Sequence, residues 1–345
     1  MTAIRMKDFY LSDCPRFENQ TFDTYFVIAN KQIKSKKDGA PYLAFTFADR
    51  SGQIDAKMWD NVGDAIDSVD QDDYVKVRGM LNKYNGRFQF TVHKIRRCQE
   101  SEVDVSDFLP KTTKNIDDLW SQLNDFVESV ENEHVRALLF SFMGDDEVAR
   151  CFKLAPAAKT LHHAFIGGLL EHVVSLMTLC DLAVRNYPMV NRDLVIAGAF
   201  LHDIGKIHEL GYARSFSYTA RGQLLGHIII ELEMLHEKLA QLPSFPPEWK
   251  TLLEHLIISH HGQLDFGSPK VPMCPEALLL HYCDDLDSKM EAMRAQFERD
   301  SLSDSVWSSY NSSLGRVLLN TERFLAEAAA PKPIAAAASV GSEEA

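Results

Sequence analysis

The hydrophobic period of this chain changes partway along, and that change limits the architectures open to it. Between residues 20 and 98 the apolar residues fall in five short runs: TFDTYFVIANKQI, PYLAFTFADR, GQIDAKMWD, DYVKVRGMLNKY and GRFQFTVHKIRRC. These are rich in β-branched and aromatic residues, and KKDGAP, DRSG and the hairpin signal Asn85-Gly86 separate them. From Ile116 onward the period is helical. DDLWSQLNDFVESV and EHVRALLFSFM carry apolar residues at i, i+3, i+4 and i+7. Further helices are expected near 163–185, 193–205, 222–241, 248–261 and 276–298, with no strand pattern among them.

The expectation is therefore a multidomain chain, a small all-β barrel followed by an all-α domain. Closing a short sheet on itself removes its edges, and a five-stranded OB-like barrel is the first candidate, with an SH3-like barrel as the alternative. Acidic residues and Pro110 break the pattern over 101–115. The division is 1–103 for the barrel, 104–116 for a linker, 117–325 for the helical domain and 326–345 for a low-complexity, disordered tail.

A chain of 345 residues with 46% hydrophobic and 25% charged residues has ordinary globular composition. No run approaches the length of a membrane helix, and MTAIRMKDFY lacks a signal-peptide core. The six cysteines form no CxxC pair, so they read as reduced thiols in a cytoplasm. The net charge of −13 argues against a nucleic-acid binder. Its distribution reverses that argument, because the first 100 residues hold 16 Lys and Arg against 14 Asp and Glu. Tyr74 to Arg97 contains seven basic residues and no acidic one.

Eleven of the 13 histidines lie between residues 162 and 281, several inside apolar helices. His172 sits in LLEHVVSL, His202-Asp203 in AGAFLHDIGK, His227 in LLGHIIIE, His260-His261 in LLEHLIISHHG and Asp284 in LLLHYCDDLDSKM. An unpartnered imidazole or carboxylate in such a setting costs several kcal/mol. One could be a satisfied core residue; several on separate helices are satisfied by one another or by a cation. A nitrogen and oxygen donor set without sulfur suits Mn²⁺, Fe²⁺, Co²⁺ or Mg²⁺.

In this order, His172, His202-Asp203 and Asp284 resemble the HD-domain phosphohydrolases. The flanking stretches HHAFIGGLLEHVVS, GAFLHDIGKIHEL, YTARGQLLGHI, SHHGQLDFGSP and EALLLHYCDDLDSKM are similar to the YhaM family, over residues 20 to 300. The resemblance implies an OB domain followed by an HD domain, and metal-dependent 3′→5′ exoribonuclease activity releasing nucleoside monophosphates. It assigns His172, His202, Asp203 and Asp284 to one ion, with Mn²⁺ first among the candidates. Asp203 bridges to a second ion at His227 and His260, with His261 beside them. The choices between His260 and His261 and between Asp284 and its rival Asp285 stay open here.

Lys206 follows Asp203 by three residues, where its charge can meet a phosphoryl oxygen and serve catalysis. The alternative is a lysine answering a helix dipole. His163, His162 and Arg221 are candidates for substrate contact, His163 as a catalytic residue and Arg221 on phosphate. On the barrel, Tyr42, Phe47, Trp59, Tyr84 and Phe88 are candidates for base stacking, and Lys76, Arg78 and Arg87 for the backbone. The expected partner is single-stranded RNA, with single-stranded DNA as the alternative; no membrane is expected, and a homo-oligomer is open. Competing functions are hydrolysis of small or cyclic nucleotides and non-catalytic single-strand binding.

Overall fold

The computed structural model describes residues 7–329 other than 85, 105–106, 160–162, 213–215, 302 and 304. Asn85, His162 and positions 330–345 of the expected tail thus lie outside the described residues.

Five strands close into a barrel in the order β1-β2-β3-β5-β4. They are β1 (Thr21–Ser35), β2 (Pro41–Asp49), β3 (Gly52–Met58), β4 (Tyr74–Tyr84) and β5 (Arg87–Arg97). All pairs are antiparallel except β3 with β5. A short helix, α1 (Val62–Ser68), joins β3 to β4, an element the sequence reading did not foresee. Strand alternation sends Leu43, Phe45 and Phe47 of β2 inward. The Phe47 ring stacks on Phe26 with centroids 5.1 Å apart. Phe47 is fully buried, so it is a core residue and cannot stack on a base; its expected role is corrected here.

The segment expected as a linker is docked on both sides. Tyr10 donates to the Asp107 carboxylate, and the Arg50 amide donates to the Asp107 carbonyl at 2.9 Å. Phe108 and Leu109 are buried. The Thr112 amide donates to the Ile166 carbonyl, and the Ile166 amide to the Pro110 carbonyl.

The helical part runs through α2 (Ile116–Glu128), α3 (Glu133–Met143), α4 (Asp146–Leu154), α5 (Gly168–Val184), α6 (Arg192–Leu201), α7 (Lys206–Glu209), α8 (Ala220–Leu239), α9 (Pro247–Ser259) and α10 (Pro275–Arg299). A final helix, α11 (Thr321–Ala329), takes in the start of the expected tail. The core lies between α5, α6, α9 and α10, and every residue from Asp193 to Leu201 of α6 is buried. The expectation of no strands fails at one point: β6 (Leu210–Gly211) pairs with β7 (Ser217–Tyr218). Two-residue strands carry no legible alternation. Among the described residues no helix is long and apolar enough to cross a membrane.

Two glycines shape the site. At Gly205 a Cβ would fall 2.3 Å from the His227 carbonyl oxygen, so only glycine lets α8 press against the turn after α6. Gly226 breaks α8 with φ 70° and ψ 162°. The break folds the helix back enough for Arg221 to pair with Glu233, a span of about 18 Å in a straight helix.

Replacing Phe47 by alanine is expected to destabilise the protein by about 3–5 kcal/mol, as for other large aromatic truncations in cores. Urea unfolding followed by far-UV circular dichroism measures this. A loss of RNA binding at unchanged stability would return Phe47 to the binding face.

Candidate metal centre

Six elements deliver the donor groups. His172 projects from the interior of α5. His202 caps the C-terminus of α6, and Asp203 follows it in the turn. His227 stands just after the Gly226 break in α8. His260 caps α9 and His261 follows. Asp284 and Asp287 lie one turn apart on α10, and Lys206 opens α7.

These groups form two adjoining sets. In the first, His172 Nε2 lies 3.3 Å from His202 Nε2 and 3.2 Å from Asp284 Oδ1. Asp203 Oδ2 is 3.3 Å from His202 Nε2 and 3.7 Å from His172 Nε2. In the second, His227 Nε2 is 3.5 Å from His260 Nε2, and His261 completes a group whose donor atoms lie within 4.8 Å of one another. Asp203 Oδ1 faces this set, 3.6 Å from His227 Nε2. One carboxylate thus presents one oxygen to each set. His172, His202, Asp203 and His260 are almost wholly buried.

The ring orientations are set from behind. A neutral imidazole has one N–H, and the atom carrying it cannot donate a lone pair. His202 Nδ1 donates to the Ala199 carbonyl at 3.0 Å, and His260 Nδ1 to the Ile257 carbonyl at 2.6 Å. Those carbonyls belong to the last helical turns, where the backbone ladder leaves them free. His261 Nδ1 donates to the Phe266 carbonyl at 2.8 Å, His227 Nδ1 to Glu209 at 3.2 Å and His172 Nδ1 to Asp287 at 2.8 Å. All five rings therefore turn Nε2, not Nδ1, away from these acceptors, the arrangement of metal-binding histidines. The donor set fits divalent ions of intermediate hardness.

Charge follows the same plan. Burial alone raises the Asp203 carboxyl, but the Lys206 ammonium 2.7 Å away and the imidazoles of His202 and His227 outweigh it and hold it well below its usual range. Burial opposes the Lys206 charge, and Asp203 raises it above the ordinary value. Burial and neighbouring rings keep His260 and His261 low, in the neutral form a ligand needs. His172 differs. Burial lowers it, yet the carboxylates of Asp284 and Asp287 on its two nitrogens lift it to about 10. Without an ion, that ring holds a second proton.

The two aspartates in question on α10 point in different directions. Asp284 faces the first set, whereas Asp285 is half-exposed and paired with Lys289 at 2.6 Å. Lys206 is tied to Asp203 at the rim. His163 is buried with φ 47°, its ring 5.3 Å from that of His172. Arg221 is exposed with its charge engaged by Glu233, so it is not a ready phosphate group. The sequence reading missed Asp287 and Glu209, which support ligands from behind. Their signal was a carboxylate inside an apolar helical stretch, one turn from a ligand in the case of Asp287. It also missed Glu231, which is fully buried with both carboxyl oxygens lacking a hydrogen bond, and which burial pushes well above its ordinary pKa.

On the barrel, Tyr42 stacks on Trp59 at 4.5 Å, and Lys57 Nζ lies 5.5 Å from the Trp59 ring and 5.8 Å from the Tyr84 ring. Trp59 and Tyr84 are exposed, and Arg87 pairs in register with Tyr84. Phe88 packs against the barrel core, with Lys83 over its ring. Lys76 and Arg78 sit on the outer face of β4 beside β1, Lys76 near Tyr25 and Arg78 3.7 Å from Asp23. A cleft of 960 Å³ separates the barrel from the helical part, lined by Arg50, Phe108, Lys159, His163, Phe165 and Asp287 among others.

Two family models match separate parts of the chain. Residues 27–97 match the OB-fold nucleic acid binding domain, and residues 169–289 match the HD domain. The chain is 36% identical over 278 residues to a Geobacillus sp. (strain WCH70) protein named 3′-5′ exoribonuclease YhaM, covering 80% of this chain and 85% of that one. It is 37% identical over 279 residues to the protein of that name from Bacillus subtilis (strain 168), covering 80% and 88%. A solved domain of replication protein A from Methanococcus maripaludis overlaps 27% of this chain and 97% of its own, at 17% identity and a TM-score of 0.23.

His172 has its ordinary value near 6.5 when unfolded and about 10 in the ion-free fold. Its contribution to stability is complete below about pH 6.5 and is lost as pH rises toward 10. The chelator-treated protein is therefore expected to lose stability from about pH 7 to about 9, with up to one proton's slope, ~1.4 kcal/mol per pH unit. Urea unfolding at several pH values checks this, and the slope should vanish in His172→Gln. An equal slope in that variant would show that another group titrates.

Proposed function

Because the chain belongs to the YhaM family of 3′-5′ exoribonucleases, we propose that it hydrolyses single-stranded RNA from the 3′ end to nucleoside monophosphates, using two divalent ions, Mn²⁺ foremost. The observation that carries this is the pair of inward-facing donor sets sharing Asp203. His172, His202 and Asp284 would hold one ion, and His227, His260 and His261 the other, with Asp203 facing both sets. Bound ions of this kind supply positive charge at the phosphoryl group and a more acidic water.

The chain's own residues do the rest. The Nδ1 hydrogen bonds keep the rings from turning, so the site is formed before substrate arrives. Lys206 is protonated and held at the rim by Asp203, with its side chain 12% exposed, placed to donate to a phosphoryl oxygen as charge grows there. His163 lines the cleft and stands where the last nucleotide would lie. The Tyr42, Trp59 and Tyr84 rings with Lys57 and Arg87 form a stacking surface of the kind OB-folds use for single strands. That surface and the cleft lie toward opposite ends of β2, about 23 Å apart along the strand, a span suited to a polymer. A small or cyclic nucleotide needs no such track. The six free thiols and the absence of a membrane-length helix among the described residues suit a cytoplasmic enzyme.

Asp203→Ala is expected to abolish release of mononucleotides from an RNA labelled at its 5′ end while leaving RNA binding nearly intact. Retained hydrolysis by that variant, or cleavage of cyclic dinucleotides with RNA untouched, would overturn the proposal. Trp59→Ala should weaken binding of a long single strand by about 1–3 kcal/mol, roughly 5- to 150-fold, measured by fluorescence anisotropy. The effect should shrink as the RNA is shortened.

A further inference from the structure

Among the five inward-facing histidines, His172 and His227 share a difficulty that the other three lack, and His172 is the more deeply buried of the two. His202, His260 and His261 give their Nδ1 proton to backbone carbonyls at or beyond helix ends. His172 sits inside α5, where the helical ladder already engages the nearby carbonyls. Its acceptor must come from another element. The α10 helix supplies it by placing two carboxylates one turn apart, one on each nitrogen of the ring. Asp284 Oδ1 is 3.2 Å from Nε2, and Asp287 Oδ2 is 2.8 Å from Nδ1. The Ser175 hydroxyl, one turn beyond His172 on α5, donates to the other oxygen of Asp287. The carboxylate is thereby fixed between two side chains of α5.

Building on the metal-centre reading above, we infer that Asp287 is a positioning residue: with Ser175 it holds His172 with Nε2 toward the ion shared with Asp284, and it does not itself bind an ion. An imidazole whose N–H faces a carboxylate is a stronger donor at its far nitrogen, because negative charge behind the ring stabilises positive charge in front. His163, His172 and Asp287 also lie close enough together to suggest a third ion. The 2.8 Å contact opposes that reading. His172 Nδ1 carries the proton shared with Asp287, and an ion there would have to remove it while Nε2 is engaged on the other side.

The test strips the full-length protein of ions and titrates it with Mn²⁺ and then Co²⁺, following affinity by calorimetry and geometry by the visible Co²⁺ spectrum. Asp287→Asn keeps an acceptor for Nδ1 but removes the charge, and is expected to weaken one of two binding events about 10- to 100-fold and to shift the Co²⁺ bands. Ser175→Ala should weaken the same event by a smaller factor, and it carries the test if Asp287→Asn does not fold. Asp285→Asn, at the half-exposed neighbour paired with Lys289 on the same helix, should bind ions as the parent does. Parent-like affinity and spectrum in both Asp287→Asn and Ser175→Ala would overturn the inference. So would a third bound ion lost on Asp287→Asn. A parent protein that takes up no ion would overturn the metal-centre reading itself, whereas a parent that binds two ions unaffected by these substitutions would overturn only the role of Asp287.

Discussion

A neutral imidazole has one proton to place, and where that proton goes decides what the ring can do. In this protein five rings place it on oxygen atoms behind them: three backbone carbonyls and the carboxylates of Glu209 and Asp287. Their free nitrogens converge around Asp203, whose two oxygens face two neighbouring donor sets. The surroundings are the apolar core of the helical part. Such a cluster is costly to bury unless positive charge joins it. Lys206 supplies one such charge, and the extra proton on His172 supplies another.

The rest of the molecule serves that centre in two ways. Helix ends provide rigid mounting points, because a residue just past the last turn can donate to carbonyls that the ladder has left open. His202 and His260 both use this device. The close approach of α8 at Gly205 then brings His227 to the shared carboxylate. The barrel contributes reach. The connecting segment is pinned to the barrel through Asp107 and to the helical part through Ile166, so the cleft between them has defined walls.

Much of this was legible in the chain. The switch from period two to period 3.6 gave the barrel and the helices, and polar residues in apolar helices marked the histidines and aspartates that the fold brings together. The less legible features share a cause. Phe45 and Phe47 alternate correctly for a strand face, but which face of a barrel strand points inward depends on closure. Arg221 reads as a free cation until the Gly226 break folds α8 back and brings Glu233 to it. Asp287 is 115 residues from the ring it supports, and Glu209 is 18 from its own.

The sequence by itself determined where the histidines and carboxylates fall in apolar surroundings and which helices carry them, because local periodicity and the cost of burying polar groups act over a few turns. Only the tertiary structure decided how those groups are turned: which nitrogen of each histidine faces inward, which oxygen of Asp203 serves which set, and which of Asp284 and Asp285 enters. Those choices depend on hydrogen bonds between elements distant in the chain, and the direction of such a bond is fixed only when the helices pack.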